Sequence, residues 1–231
     1  MGSGAVGTAV TSGEPVFLAS LTPAEAAALE ARATRRAYTR GHALFHEHGA
    51  PDRVIVLVSG FVKLSRVSED GREVILAIRG PGDLIGEQSA IDGRPRSATA
   101  TALDEMTALA LSRDDFIALL ECEPRIALVV LRMLSARLRE ADVGRMELSL
   151  QDATGRVAAR ILELAERFGA AAEAGVEIHL PISQEELAGW TGCSRDSVVK
   201  ALQSMRGLGW IETGRRRITV LELDQLRRRT A

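Results

Sequence analysis

Between Ala37 and Leu111 the chain is cut into short β-type runs by glycine and proline, and this texture restricts the fold more than any other feature of the sequence. The runs are Val54–Val58, Phe61–Val67, Val74–Ile78, Ala98–Ala102 and Thr107–Leu111. The breaks between and around them are Gly49-Ala50-Pro51, Ser59-Gly60, Glu69-Asp70-Gly71, Gly80-Pro81-Gly82 and Asp92-Gly93. Glu-Asp-Gly between alternating runs is a hairpin signal, because the turn needs residues that accept a left-handed backbone. Many short strands at this spacing predict a barrel or jelly roll. Aromatic residues are only 3% of the chain, so the core must be built from Leu, Val, Ile and Ala.

Helices are predicted on both sides. Residues 1–16 offer little to bury and are expected to form a disordered tail. Thr22-Pro23-Ala24-Glu25 opens a helix, with Thr22 as N-cap and Pro23 at the first helical position, running to about Thr34. Ser112-Arg113-Asp114-Asp115 starts a short helix, and Glu123-Pro124 a long one. Along the long helix Ala127, Leu131, Leu134, Leu138, Ala141, Arg145 and Leu148 step by four and three, a heptad seam broken at Arg145. Such a stripe pairs two subunits or packs on its own domain; its narrowness and length favour a dimer seam.

Asp152–Phe168 is again amphipathic. Two strand-like pieces, Val176–Leu180 and Arg217–Leu221, flank two helical segments. The first, Ser183–Gly189, begins with a capping box of Ser183 and Glu186. The second runs from Ser194 to about Leu208, after the turn Thr191-Gly192-Cys193. Two helices on a short glycine turn make a helix-turn-helix. Trp210–Leu221 then reads as two short strands around Thr213-Gly214-Arg215-Arg216, a wing.

Charge separates the ends of the chain. Residues 1–193 hold 20 Lys/Arg and 27 Asp/Glu, whereas residues 194–231 hold 9 and 4. A basic end on an acidic body points to a local anionic partner. Two cysteines, Cys122 and Cys193, are too few for a disulfide framework or an iron–sulfur cluster. No apolar run reaches the ~18 residues of a spanning helix, and the N-terminus lacks a signal-peptide pattern; a cytoplasmic protein with no membrane partner is expected. His42, His46 and His48 lie close together but have no cysteine or paired carboxylate beside them, so no metal is expected. No nucleophile–base pair or Walker loop is present, and no enzymatic activity is expected.

One stretch, Gly80–Ala102, concentrates the remaining chemistry. Gly86 lets backbone approach a ligand closely, Glu87 can accept from a ribose hydroxyl, and Arg96 can fork onto a phosphate that carries one negative charge. Ser97 can donate to a phosphate oxygen. A surface Glu–Arg pair is the plainer alternative.

The spacing goes further. Gly86, Glu87, Arg96, Ser97 and Ala98 stand as in G-E-x(8)-R-[ST]-A, and the stretch resembles the phosphate-binding cassette of cyclic-nucleotide-binding domains. Gln88 replaces the leucine common there. Asp152-Ala153-Thr154-Gly155-Arg156-Val157-Ala158 resembles the junction before the DNA-binding domain in the cyclic-AMP receptor protein and FNR family of bacterial regulators. Gly192-Cys193-Ser194-Arg195-Asp196-Ser197-Val198 resembles that family's recognition-helix start, G-x-S-R-E-T-V. The match covers roughly residues 17–221.

The resemblance implies an α+β chain: a cyclic-nucleotide-binding β-roll over residues 17–123, a dimerisation helix over 124–150 and a winged helix-turn-helix over 151–231. It implies ligand contacts from Gly86, Glu87, Gln88, Arg96, Ser97 and Ala98, with base contacts from the long helix at Ala141 and Asp142. Ala141 has no hydrogen-bonding side chain; Asp142 can accept from an adenine amino group, from guanine N1 and N2, or from Arg145. In the recognition helix Arg195 can fork onto guanine, Asp196 can accept from cytosine N4, and Lys200 can reach guanine or phosphate. Ser194 and Ser197 suit phosphates or a helix cap, Arg215, Arg216 and Arg217 suit phosphates, and Gln184 is a further phosphate candidate. The expected function is a homodimeric regulator of double-stranded DNA controlled by cAMP as allosteric effector, with RNA polymerase as a further partner by resemblance. Its rivals are the same fold with another effector, such as cGMP or a non-nucleotide, or with none, and a sensor subunit that regulates an enzyme or channel without binding DNA.

Overall fold

A computed structural model describes residues 16–179 and 182–230. The expected N-terminal tail, but for Val16, lies outside the described residues, as does Leu180 at the end of one predicted strand. The described residues fall into two compact units that part within the long helix, between Ala141 and Asp142.

In the first unit a single 3-10 turn, Leu18–Ser20, leads into helix α1 (Pro23–Glu30), capped as its sequence demands: Glu25 N–H donates to Thr22 Oγ1 at 3.3 Å and Thr22 N–H to the Glu25 carboxylate at 2.7 Å. The helix stops at Glu30 rather than near Thr34, because Thr34 opens a strand, β1 (Thr34–Tyr38), that pairs with the last strand of the roll. Seven further strands follow: β2 (Ala43–Phe45), β3 (Arg53–Ser59), β4 (Val62–Val67), β5 (Glu73–Arg79), β6 (Leu84–Ile85), β7 (Thr99–Ala102) and β8 (Met106–Ser112). They form two four-stranded sheets, ordered β1-β8-β3-β6 and β2-β7-β4-β5, with antiparallel pairing throughout. This is the β-roll. A short helix, α2 (Glu87–Asp92), interrupts it between β6 and β7.

Strand β3 shows why the roll has two cores. Val54, Ile55, Val56 and Leu57 are all fully buried. Successive side chains point to opposite faces, so Ile55 and Leu57 fill the roll with Val62, Ile85, Ala100 and Ala108. Val54 and Val56 instead meet helices α1, α3 (Arg113–Cys122) and α4 (Pro124–Leu150), through Leu29, Phe116, Leu119, Ile126, Val130 and Met133. A run buried on both faces reads as continuous rather than alternating, which is how it stands in the sequence.

Helix α4 therefore uses one face on its own domain. Ile126, Val129, Val130 and Met133 are buried there, each worth ~1.5–3 kcal/mol when fully sequestered. The heptad positions mostly lie on another face: Leu131 and Leu138 remain 63% and 62% exposed, while Ala127 and Leu134 are partly covered. One stripe of α4 thus packs on its own domain, with Leu134 of the heptad set at its edge, while Leu131 and Leu138 stay exposed.

In the second unit, Asp152 caps α5 (Ala153–Phe168), accepting from Gly155 N–H at 2.8 Å. A hairpin, β9 (Ala170–Ala172) and β10 (Gly175–Ile178), leads into α6 (Gln184–Thr191) and α7 (Arg195–Gly207). Strands β11 (Ile211–Gly214) and β12 (Arg217–Val220) complete a four-stranded sheet in the order β11-β12-β10-β9, and α8 (Leu223–Thr230) closes the chain. Val157, Ile161, Leu164, Leu187, Trp190, Val198, Leu202, Met205 and Leu226 are buried in this unit.

Candidate ligand site and nucleic-acid interface

Strand β6 ends at Ile85, and Gly86 turns the chain into α2 with φ +80°, a left-handed backbone that a side chain would strain. A Cβ here would also lie 2.7 Å from Arg96 Nη1. The arginine comes back from the loop after α2 and is fixed by its own backbone: Arg96 N–H donates to Gly49 O at 3.0 Å and Arg96 O accepts from His48 N–H at 2.9 Å.

Its side chain is 1% exposed. Nη1 donates to Gly86 O at 2.9 Å, and Nη2 to Arg53 O at 2.6 Å and to Asp52 Oδ1 at 3.2 Å. The guanidinium lies 4.4 Å from the Phe45 ring centroid. Burial pushes the pKa of Arg96 down, and the neighbouring Asp52 carboxylate opposes that shift; a guanidinium stays charged under such conditions. Asp52 in turn is held below its ordinary value, first by the hydrogen bond from Arg53 and then by Arg96. Arg96 Nε is buried with no hydrogen-bond partner. A buried cation with an unused donor is unusual, since such groups are normally satisfied by protein, water or ligand.

Glu87, the next residue after the turn, is also buried. Its Oε1 accepts from Arg137 Nη1 of α4 at 2.7 Å, and Arg137 Nη2 donates to Leu84 O at 3.0 Å. The structure therefore brings Gly86, Glu87 and Arg96 together. Ala98 is buried beside them in sequence, whereas Gln88 and Ser97 are exposed. Ala141 and Asp142 are exposed, and Asp142 Oδ1 accepts from Arg145 at 2.8 Å, the i, i+3 pairing that the sequence allowed.

Sequence reasoning missed Asp52, Arg53, Phe45 and Arg137. Nothing in the local pattern marks the first three, which reach Arg96 only through the sheet. Arg137 left a faint signal, a cation four residues after Met133 on the buried face of α4. His42, His46 and His48 form no metal cluster, and none of three or more ligand-type side chains occurs among the described residues.

The second unit carries the other candidate surface. Ser183 and Glu186 form the predicted capping box of α6, and Gln184 stands exposed at its first position. Gly192, at φ +63°, turns the chain toward α7. Ser194 Oγ caps α7 by accepting from Ser197 N–H at 3.1 Å, and the two hydroxyls lie 2.9 Å apart. Capping is thus the role the structure gives this pair. Arg195, Asp196 and Lys200 are exposed on the first turns of α7. In the wing, Arg215, Arg216 and Arg217 are exposed; Arg216 has φ +57°, and Arg217 Nη1 lies 3.5 Å from Glu177.

Comparison with known proteins agrees with this architecture. The family model of the cyclic nucleotide-binding domain matches residues 35–122, and that of the Crp-like helix-turn-helix domain matches residues 155–229. The "CRP-like cAMP-activated global transcriptional regulator" of Mycobacterium tuberculosis is 36% identical over 207 residues, 90% of this chain and 92% of that protein. The "Cyclic AMP receptor protein" of Thermus thermophilus is 34% identical over 210 residues, 91% of this chain and 94% of that one. Among solved structures, a CRP-family transcriptional regulator, also from Thermus thermophilus, superposes with a TM-score of 0.71 at 26% identity, covering 84% of this chain and 96% of its own. With a nucleotide-binding roll ahead of a helix-turn-helix, and relatives similar over nine-tenths of its length, the chain belongs to the CRP/FNR family of transcription regulators.

Proposed function

We propose that this regulator works as a homodimer whose affinity for double-stranded DNA is set by a cyclic nucleotide, with cAMP as the effector. The observation that carries the reading is Arg96: a buried guanidinium with an unused Nε, behind a glycine turn and next to the buried carboxylate of Glu87. A cyclic phosphate would meet the cation there, and a ribose hydroxyl would meet Glu87. The names of the Mycobacterium and Thermus relatives, both of which cite cAMP, support that effector over cGMP. The exposed Leu131 and Leu138 supply an apolar stripe for the same helix of a second copy.

The switch would be a shift between two populations of the dimer. Glu87 is already paired with Arg137 of α4, so an effector hydroxyl on Glu87 acts on the long helix through one side chain. The favoured state must bind the effector more tightly, or nothing moves. On DNA, Arg195, Asp196 and Lys200 would read base edges from the major groove, with Gln184, Arg215 and Arg216 on phosphates and Ser194 and Ser197 shaping the helix start. A two-fold site with half-sites about one helical turn apart follows from a two-fold dimer. RNA polymerase, as a further partner, rests on family membership.

Calorimetry with cAMP and cGMP, run beside a gel shift, tests the proposal. Heat with cAMP, and a shift that cAMP strengthens and Arg195→Ala weakens, is the expected result. DNA binding without heat from either nucleotide would sink the effector assignment. Heat without any DNA binding would favour a sensor that acts on another protein.

A further inference from the structure

Neither proposed site uses a charged cluster in the second unit. Arg160 of α5 donates through Nη2 to Glu147, which stands in the last turns of α4, and through Nη1 to Glu163 at 2.7 Å. Its guanidinium carbon lies 5.6 Å from the ring centroid of Trp190, a distance at which the ring face attracts a cation. Trp190 is buried in α6, the first helix of the helix-turn-helix. Arg160 and Glu147 are 20% and 18% exposed, so their pairing is only partly screened by solvent. One turn earlier, Arg156 Nη2 lies 3.2 Å from Cys193 Sγ, in the turn between α6 and α7. A Cβ on Gly192 in that turn would come within 3.6 Å of Leu148. The end of α4 therefore rests against the helix-turn-helix itself.

We infer that Arg160 is a positioning residue that couples the last turns of α4 to α6 through the Glu147–Arg160–Trp190 contact, so that a change in α4 reaches the recognition helix. The inference rests on the regulator reading above. The chemistry supports transmission rather than bracing alone. Arg160 holds one partner in each helix, and the guanidinium is rigid and planar, so displacing Glu147 re-aims the cation over the indole. Trp190 of α6 is buried, as are Val198 and Leu202 of α7; the two helices pack together, and the exposed face of α7 carries Arg195 and Lys200. Packed cores of this kind shift between discrete arrangements rather than deform smoothly.

The test uses the full chain in a Trp210→Phe background, which leaves Trp190 as the sole indole. Arg160→Gln, Arg160→Lys and Glu147→Gln are compared for thermal stability and cAMP affinity. DNA affinity, with and without cAMP, is measured on a duplex selected from a random library by the parent protein. In the parent, cAMP should tighten DNA binding and shift the Trp190 emission. In Arg160→Gln and Glu147→Gln the tightening should shrink about tenfold, within the range of coupled neighbours, while cAMP affinity stays within about twofold. Arg160→Lys should recover part of the coupling, because it keeps the charge facing Glu147. An unchanged tightening in both neutral variants overturns the inference, as does a loss matched by an equal loss of cAMP affinity or by unfolding. If the parent binds no cAMP, the effector assignment fails on its own, and hydrogen exchange decides the role of Arg160. Arg160→Gln should then speed exchange at residues 143–150 about tenfold, and protection equal to the parent's overturns the coupling.

Discussion

Arg137 of the long helix donates to Glu87 of the glycine turn at 2.7 Å, and the two side chains are 10% and 3% exposed. This ion pair joins α4 to the residue that the sequence singles out for a ribose hydroxyl. Buried pairs of this kind add little over an apolar pair, but breaking one leaves a stranded charge. Glu87→Ala is expected to destabilise the sensor unit by ~3–5 kcal/mol. Glu87→Ala combined with Arg137→Met should restore part of that loss, because no buried charge is left alone. Urea denaturation of the two variants beside the parent checks the order.

Arg96 should tolerate no replacement, lysine included. Its donors to Gly86 O, Arg53 O and Asp52 leave in different directions from one planar group. Lysine offers a point charge in place of that fork. Each charge-assisted bond to a phosphate is worth ~1.5–3 kcal/mol, so Arg96→Lys should weaken cAMP binding by roughly 10- to 150-fold. Isothermal calorimetry gives the number, and near-parental affinity would remove Arg96 from the site.

Gly86→Ala tests the turn separately from the charge. The residue sits at φ +80°, and a Cβ would lie 2.7 Å from Arg96 Nη1. Backbone strain of this type costs ~1–3 kcal/mol, and the arginine must also shift. Both thermal stability and cAMP affinity should fall, whereas Gly41→Ala, also left-handed at φ +81° but with nothing within 4 Å, should lose stability alone.

The parts of this chain that its sequence revealed were those set by short-range rules. Thr22, Ser183 and Ser194 each cap a helix as the sequence indicates, and Ser112 and Asp152 cap helices at starts that the sequence marks without naming a cap. The breaks at Gly60, Gly71 and Gly93 fall where the backbone turns left-handed. β1 escaped notice because Thr34-Arg35-Arg36-Ala37 is exposed and polar, and becomes a strand only by pairing with β8. The candidate ligand-site residues Gly86, Glu87 and Arg96 were legible from their spacing, but their surroundings were not. Asp52 and Arg53 are more than forty residues from Arg96 and meet it only through the folded roll. α4 showed its outer stripe clearly and hid the inner one, since both are apolar and the 3.5-residue repeat draws attention to only one.

Acid should act on Asp52 before it acts on the arginines. The Arg53 hydrogen bond, followed by Arg96, holds its folded pKa below the ordinary value of 3.8. A depressed carboxylate stabilises the fold fully above the unfolded value, and that contribution fades as pH falls through the folded one. The stability gap between the parent and Asp52→Asn should therefore be flat from about pH 5 to 8 and close below about pH 4. Because Asp52 is half exposed the gap should be small. A gap that widened with acid would mean that the carboxylate is not engaged as found.

The wing allows stability and DNA affinity to be moved in opposite directions. Arg216 occupies φ +57°, a conformation that favours glycine. Arg216→Gly should raise the thermal midpoint, since it relieves a left-handed residue worth ~1–2 kcal/mol. The same change deletes a proposed phosphate contact, so DNA affinity should fall about equally for all sequences, and the slope of log K against log salt should flatten by about one charge. Arg195→Ala is the contrasting variant. A base-reading arginine should cost ~1–3 kcal/mol and relax preference at one position of the site. Arg217 is a weaker anion contact, because Glu177 already lies 3.5 Å from it. Arg217→Ala should therefore change the salt slope less than Arg216→Gly does. Titrations at three salt concentrations on the selected duplex and on a scrambled one separate these effects, and an Arg216→Gly protein with an unchanged slope would show that the wing does not touch the DNA backbone.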